Sequence, residues 1–503
     1  MSIPFKSSPV EYNQSLLFPS NIFDLLSNDH ECYLYHDLFQ QVDTTLLEKG
    51  YSYKGQNAYH PRLIVSILIY AYSRGVFSSR EIEKRCNEDL SFMYIAQMHC
   101  PNFRVLSDFR KDNADFFHRC FKQTVQLAMM LGLASLGHIS LDGSKFKASS
   151  SKHKAMSNGR LKEKEKLLTQ EIEELIAQAK RCDKEEDKAY KDKNGYELRD
   201  DLKFKEERLA QIKEAKEALE KREEELNPGK IIEDKKQISF ADQDARIMGK
   251  KGDFDYRYNP QISVDADNQI IVGQHVSQNA NDKKELEPAL EAVKEVTGTL
   301  PEKLSVDNGY MSGDNLQAVE TQSVDTYIAT NKSEKKNKTS IKDSSRRLVK
   351  SDFQYHESEN YFTCPGEQKL LMISETPNGI RKFQGDSEVC KDCSYKDQCC
   401  RSKNGAARII TSDDKESLRQ EMNAKMEEVD SKEIYRKRKV IVEPVFGQIK
   451  NTGFRGFSLR GKEKVAGEFS LVCATHNIKK MICSAFKGLI PAKFENLALN
   501  DRI

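Results

Sequence analysis

The feature that most constrains this chain is the order of its secondary-structure patterns between residues 138 and 330. An alternating apolar pattern ends at Asp142-Gly143, and two further alternating segments within residues 256–277 meet at Asp267-Asn268. A helical apolar period, a short strand pattern ending at Asp307, a second helical period and a last strand pattern follow. Strands that alternate with helices predict a mixed α/β sheet, and two of these strands end in an aspartate.

The order strand, two-stranded hairpin, helix, strand, helix, strand is that of a ribonuclease-H-like domain, a fold-level analogy. We therefore predict an α/β fold class. The ribonuclease-H-like core would be accompanied by an all-α N-terminal domain, a helical-hairpin insertion and a Cys-rich insertion.

Four segments follow from these patterns. In the first, Pro61 opens an apolar helical pattern and Ser107 is predicted to cap a later helix. Short helices with tight connections fit a DNA-binding helix-turn-helix type of module, and a bundle used only for packing fits equally well. The predicted boundaries are 1–135 for this helical domain, 136–330 for the first part of the core with 160–226 as the helical hairpin, 331–430 for the basic and Cys-rich insertion, and 431–503 for the C-terminal helices of the core.

The distribution of charge says more than its total. The formal net charge is only +2, which does not by itself indicate a nucleic-acid partner. Residues 332–350 and 432–464 are nevertheless rich in Lys and Arg, although a solvated face is the ordinary explanation of such a stretch. The longest apolar run, residues 63–72, is far too short to cross a bilayer, and the first residues lack a secretory pattern. We expect a cytoplasmic protein without a membrane partner.

Three acidic residues stand where a backbone can present them to a cleft. Asp142 precedes Gly143, Asp307 precedes Asn308-Gly309, and Glu443 lies in a helical pattern. A single Asp before Gly is normally only a turn residue. Two aspartates at strand ends and a glutamate, in this order, are harder to explain as turn residues. Hard oxygen ligands suit Mg²⁺ or Mn²⁺, and two such ions about 3.5–4 Å apart promote in-line phosphoryl transfer.

Three blocks of sequence resemble the bacterial insertion-sequence transposases whose DDE core carries a Tyr-Arg-Glu-Lys signature. The blocks are LDGSKFKASSSKHK at residues 141–154, SVDNGYMSGDNL at 305–316, and the segment from YRKRKVIVEPVFGQIK to THNIKK at 435–480. The resemblance extends to residues 57–86 and 238–265. It covers most of the chain.

The resemblance implies roles for individual residues. Asp142, Asp307 and Glu443 would hold two Mg²⁺ (or Mn²⁺) ions. Lys450 stands at the family's distance from Glu443, and two helical turns would place both on one face. The signature Tyr corresponds to Tyr435, whereas the signature Arg is either Arg438 or Lys439. The residues expected to contact DNA phosphate are Tyr435, Arg438, Lys439, Lys450, Arg455 and Arg460.

The resemblance also implies partners. The expected function is a DNA transposase that binds the terminal inverted repeats of its element, cleaves them and transfers the strands to target DNA. Synapsis of two ends makes a homodimer the expected assembly, and the bacterial nucleoid the place of action. Two alternatives are a transposase-derived protein that only binds DNA and a ribonuclease-H-fold nuclease that cuts without joining.

Five of the twelve cysteines crowd into residues 364–400. They include one Cys-x-x-Cys pair, which is half of a strong zinc signature. A structural Zn²⁺ site of Cys364, Cys390, Cys393 and either Cys399 or Cys400 is one interpretation. A loop of free thiols is the other.

Overall fold

The computed structural model describes residues 21–51, 58–150, 155–186, 195–249, 252–330, 346–377, 379–400 and 406–490. The basic stretch predicted over residues 332–350 therefore lies outside the described residues up to position 345. The chain divides into two compact units. One comprises residues 1–116 and 478–503, and the other residues 117–477.

The described part of the first unit is helical. Its helices are α1 (Glu31–Gln40), α2 (Thr45–Glu48), α3 (Pro61–Ser73), α4 (Ser79–Glu88), α5 (Leu90–Ile95) and α6 (Phe103–Asp112).

Helix α3 is the centre of this unit because nearly all of its residues are buried. It begins at Pro61, as the apolar pattern predicts, since proline at the first turn loses no intrahelical hydrogen bond. The predicted cap at Ser107 is wrong. Helix α6 begins earlier because the side chain of Asn102 accepts hydrogen bonds from the N–H groups of Arg104 and Val105.

The second unit contains a mixed sheet and the helices around it. Its elements up to residue 330 are α7 (Ala114–Met130), β1 (His138–Gly143), β2 (Phe146–Lys147), β3 (Ala155–Ser157), α8 (Asn158–Glu186), α9 (Gly195–Leu226), β4 (Gln237–Ser239), β5 (Arg246–Met248), β6 (Asp255–Asp265), β7 (Ile271–Ser277), α10 (Leu286–Thr297), β8 (Lys303–Val306), α11 (Gly313–Thr321) and β9 (Asp325–Ile328).

Five strands run side by side in the order β7–β6–β1–β8–β9. Strand β6 is antiparallel to both β7 and β1, whereas β1, β8 and β9 are mutually parallel. In chain order these are the third, second, first, fourth and fifth strands. The short strands β2 and β5 extend the sheet by pairing with the first part of β6.

Helices α8 and α9 form an antiparallel pair. Lys216 contacts Glu165 and Lys205 contacts Glu171, each at 2.8 Å, so the pairing runs in opposite directions along the two helices. A narrow buried seam that includes Leu161 joins them. The seam explains why a stretch so rich in charge forms two stable helices.

A second, smaller sheet follows the main one. Its elements are β10 (Gln354–His356), β11 (Tyr361–Thr363), β12 (Lys369–Glu375), β13 (Arg381–Gln384), α12 (Ser387–Lys391), α13 (Lys396–Cys399), β14 (Ile409–Ser412) and α14 (Glu416–Lys425). Strands β10 to β14 pair antiparallel in chain order. Helix α14 joins this sheet to the main one, since the Lys425 ammonium donates to the backbone carbonyl of Thr326 in β9 at 3.0 Å.

The segment from Tyr435 to Lys450 is not one continuous helix. The chain forms α15 (Val429–Ile441) and α16 (Glu443–Asn451), which meet at Val442. Pro444 causes the break because its ring cannot continue the helix before it, although it fits the first turn of a new one. Helix α17 (Lys462–Phe486) follows. No helix among the described residues is long and apolar enough to cross a membrane.

The close approach of α10 to β7 depends on Gly273. A Cβ added there would lie 2.6 Å from Cγ2 of Val293 and 3.1 Å from its backbone nitrogen. We predict that Gly273→Ala lowers the free energy of unfolding by about 1–3 kcal/mol, because the strand and helix must separate. Urea denaturation followed by circular dichroism measures this change.

The matched control is Gly447→Ala in α16, where an added Cβ meets no described atom within 4 Å. There alanine should stabilise the protein by about 0.5–1 kcal/mol through its helix propensity. Equal effects of the two substitutions would contradict the packing argument.

Candidate active site

Asp142 and Asp307 lie at the same edge of the main sheet. Strands β1 and β8 pair in parallel, with Ser140 opposite Ser305, so both chains leave the sheet in the same direction. Each aspartate turns one oxygen to its own loop. Oδ1 of Asp142 accepts the N–H of Gly143 at 2.9 Å, and Oδ1 of Asp307 accepts the N–H of Gly309 at 2.7 Å.

A Cβ at either glycine would displace a side chain of the site. At Gly143 a Cβ would lie 2.8 Å from Cδ of Gln261, and at Gly309 it would lie 2.8 Å from Oδ1 of Asp307 itself. The Asp-Gly and Asp-Asn-Gly sequences therefore position the carboxylates as well as turning the chain.

Arg438 joins the three predicted carboxylates. Its guanidinium lies 3.0 Å from Oδ2 of Asp142, 3.0 Å from Oε1 of Glu443 and 4.0 Å from Oδ2 of Asp307. The Arg438 side chain is only 8% exposed, compared with 48% for Glu443. Three acids from distant parts of the sequence thus surround one buried cation.

The structure distinguishes the two candidates for the signature Arg. Arg438 is buried against the carboxylates, whereas Lys439 is exposed. The spacing of four residues before Glu443 favours Lys439 only in a continuous helix. The break at Val442 turns α16 relative to α15, and the residue five positions before Glu443 faces it instead.

Lys450 and Tyr435 also lie beside the carboxylates. The Lys450 ammonium donates to Oγ of Ser144 at 2.6 Å, two residues after Asp142, and lies over the ring of Phe146. Tyr435 is partly buried near Arg438 and the three acids, and burial raises the pKa of its phenol. Arg455 and Arg460 are exposed, and Nε of Arg460 donates to the carbonyl of Ser149 at 3.0 Å.

Burial perturbs the carboxyl group of Asp142. Its side chain is 21% exposed, and burial raises its pKa to about 6. Arg438 opposes this rise, whereas the negative charge of Asp307 adds to it. Asp142 therefore needs nearby positive charge to stay ionised at neutral pH.

A polar network behind the acids was missed by the sequence reasoning. Oδ1 of Asp282 accepts the side-chain N–H groups of Asn259 and Gln261, each at 2.8 Å. The hydroxyl of Tyr310 donates to Oε1 of Gln261. Asp282 also faces the Asp307 loop, since a Cβ added at Gly309 would lie 3.5 Å from its Oδ2.

A signal for this network was present in strand β6. Its polar residues alternate and are almost completely buried: Asn259, Gln261, Ser263 and Asp265. A row of buried polar side chains on one face of a strand requires partners, and such a row indicates a functional edge. Asp282, in a loop, carried no comparable signal.

The carboxylates suit divalent cations chemically, because Mg²⁺ and Mn²⁺ prefer hard oxygen ligands. Within the described part of the chain, no three His, Cys, Asp or Glu side chains form a ready metal cage. At the three acids the Arg438 guanidinium lies between the carboxylates. Binding of a metal ion by the three acids requires the Arg438 guanidinium to move or to share its carboxylate partners.

Two parts of the chain match known protein families. Residues 363–482 match the transposase DDE domain, and residues 20–112 match a transposase domain (DUF772). Both matches are to transposase domains, and together they support an insertion-sequence DDE transposase. No curated protein and no solved structure matches it.

A transposase DDE domain implies a ribonuclease-H-like fold, and the mixed α/β core is therefore expected to be of this kind. Transposases of this family act on DNA, and their DDE domains generally use divalent metal ions. The DDE match includes Glu443, Arg438 and the five crowded cysteines, but it does not extend to Asp142 or Asp307.

Arg438 provides a test of the charge balance. We predict that Arg438→Met lowers the free energy of unfolding by about 1–3 kcal/mol without metal, because three carboxylates lose their shared cation. Added Mg²⁺ should restore more stability to this variant than to the wild type. Urea denaturation with and without Mg²⁺ measures both effects.

The effect should depend on pH. The pKa of Asp142 is raised in the folded state, so the folded protein binds a proton more tightly and ionisation costs stability as the pH rises through about 6. The difference between Arg438→Met and the wild type should therefore shrink below pH 6. Lys439→Met, on the exposed side of α15, is the control and should stay within about 0.5 kcal/mol of the wild type. A pH-independent loss would contradict this account.

Proposed function

We propose that this transposase binds the terminal inverted repeats of its element, cuts them and transfers the strands to target DNA, using Asp142, Asp307 and Glu443 to hold two Mg²⁺ ions. One observation carries the proposal: three carboxylates from three separate segments meet around a single guanidinium. A purely structural role does not explain why two of them end parallel strands at the same edge.

The bound ions would supply an activated water or 3′-hydroxyl and a stabilised leaving oxygen. The chain's own residues position the participants. The Gly143 and Gly309 loops hold one oxygen of each aspartate and leave the other directed toward Arg438. Arg438 keeps the acids gathered in the absence of metal, and on loading it is free to bind a phosphate with its planar donors.

Lys450 is suited to bind a phosphate next to the acids. Its ammonium is anchored on Ser144, so it is held close to Asp142. Burial lowers its pKa, whereas Asp142 raises it. Lys450 is a point charge that can contact a phosphate without a fixed geometry, and Tyr435 can donate from the neighbouring helix.

The remaining DNA contacts follow from the same proposal. The helices of residues 21–112 would recognise the repeats, while Arg455, Arg460 and the exposed Lys439 would contact the backbone. Two copies would hold two element ends as a homodimer. The bacterial nucleoid would be the place of action.

The test compares the wild type with Asp142→Asn, Asp307→Asn and Glu443→Gln on DNA that carries the sequences flanking this gene, with Mg²⁺ or Mn²⁺. We predict that each substitution lowers end cleavage by about 1000-fold or more, about 4 kcal/mol of transition-state stabilisation. Binding of the same DNA should persist. Cleaved and joined products are separated on sequencing gels, and binding is measured by gel shift.

Glu291→Gln, an exposed acid on α10, is the control and should cleave like the wild type. Cleavage without joined products would favour the nuclease alternative. Specific binding without cleavage by any variant or the wild type would favour a protein that only binds DNA. Full activity of Asp307→Asn would remove the triad from the proposal.

A further inference from the structure

The five crowded cysteines line one small cavity in the second sheet. The cavity has a volume of about 30 Å³ and is lined by Cys364, Cys390, Cys393, Cys399 and Cys400, together with Gly366, Tyr395 and Arg408 among others. This space is large enough for an ion or a single water molecule. Its lining residues all precede Glu443 by 35 residues or more in the sequence, and none of them belongs to the carboxylate site.

Two of the sulfurs accept backbone hydrogen bonds. The N–H of Gln368 donates to Sγ of Cys364 at 3.4 Å, and the N–H of Tyr395 donates to Sγ of Cys393 at 3.4 Å. Backbone donors of this kind orient the side chains that bind a metal ion. Both sulfurs also face one point, since a Cβ added at Gly366 would lie 3.7 Å from Sγ of Cys364 and 3.6 Å from Sγ of Cys393.

Cys390 and Cys400 complete the set. The Cys390 thiol lies close to the Cys400 thiol and to the backbone N–H of Arg408. Cys399 differs from its neighbour because it is buried in the apolar core of the small sheet, among residues such as Phe353 and Phe362. Cys399 is thus a packing residue, and Cys400 is free to act as a ligand.

A positive charge stands beside the cavity. The Nε atom of Arg408 is buried, and it has no hydrogen-bond partner within the described chain. Arg408 also lies close to the Cys399 thiol. A cation here offsets the negative charge of several thiolates around one metal ion.

The small sheet needs an additional source of stability. Among the described residues, its buried hydrophobic cluster is small and consists of Leu348, Phe353, Phe362, Leu370, Phe383, Cys399 and Ile410. Strand β12 is exposed over most of its length, including Leu371, Met372 and Ile373. Sheets with so small a core usually depend on disulfides or metal ions, and in a reducing compartment the metal is favoured.

We propose that Cys364, Cys390, Cys393 and Cys400 bind one structural Zn²⁺ that holds the β10–β14 sheet together. Binding replaces four S–H bonds with four Zn–S bonds and releases four protons, so the site carries two negative charges. Zn–S bonds of about 2.3 Å are shorter than the present spacing allows, because no three of these described sulfurs yet enclose an ion. Rotation about the Cα–Cβ bonds is the movement that closes the site.

The site would act on the active centre only indirectly. Helix α14 follows β14 directly and pairs with β9 of the main sheet through Lys425 and Asp325, 2.5 Å apart. The zinc sheet would therefore fix the path of the chain from Asp307 to helix α15, which carries Arg438. This role is structural, and it does not depend on the proposed function.

The test is the zinc content of the full chain, purified under reducing conditions without chelator and measured by atomic emission. The wild type should hold about one zinc per chain. Cys393→Ser should lower this to below about 0.1, whereas Cys393→His should retain zinc because imidazole nitrogen is also a zinc ligand. Cys399→Ser, the adjacent control, should keep the wild-type content.

A second measurement serves if Cys393→Ser does not fold. Titration of the wild-type thiols with a mercurial should release zinc in step with the modification of four cysteines. Protein grown with cobalt should show the absorption of tetrahedral thiolate coordination. Asp307→Asn should contain as much zinc as the wild type, which separates this proposal from the metal site of the carboxylates.

Three results would overturn the proposal. The first is a wild-type protein that contains less than about 0.1 zinc per chain and whose five crowded cysteines all react with the mercurial without releasing metal. The second is a disulfide between Cys390 and Cys400 in the protein isolated from the cell. The third is loss of zinc in Cys399→Ser with retention in Cys400→Ser, which would assign the ligands differently.

Discussion

The parallel pairing of β1 with β8 is the constraint on which the site depends. Parallel neighbours end at the same edge, so two aspartates more than 160 residues apart in sequence leave the sheet together. The pairing is supported inside the sheet by a hydrogen bond of 2.6 Å between the hydroxyls of Ser140 and Ser305. A shift of one residue in either strand would turn one aspartate to the other face and separate the acids.

Charge explains why these acids stay together without metal. Asp142, Asp307 and Glu443 carry three negative charges, whereas Arg438 and Lys450 carry two positive charges. The site therefore has fewer positive than negative charges, and it lies at an edge of the sheet that is partly shielded from water. A divalent cation restores that balance, which is a physical reason for the acids to attract one.

Local signals predicted the parts of the site that depend on local structure. An alternating strand followed by Asp-Gly or Asp-Asn-Gly predicts both the strand end and the turn, and Asp142 and Asp307 lie there. The choice between Arg438 and Lys439 could not be made from spacing, because it depends on how far α16 turns at Val442. Pro444 predicts that a break exists, but the angle of the break follows from packing against the sheet.

The partners of Asp282 were beyond prediction for a different reason. Their contacts join β6, the loop after β7 and the loop after β8, and no spacing in the sequence links these segments. Buried alternation in β6 indicates that such partners must exist, but only the fold says which they are.

The chemistry of Gln261 shows how the polar groups of that buried network are satisfied. Its amide nitrogen donates to Asp282, and its amide oxygen accepts the hydroxyl of Tyr310, so one side chain satisfies a carboxylate and a phenol at once. A glutamate in the same position would offer no donor to Asp282 and would add a negative charge beside acids that already raise the pKa of Asp142. The amide therefore supports the acids without competing for a cation.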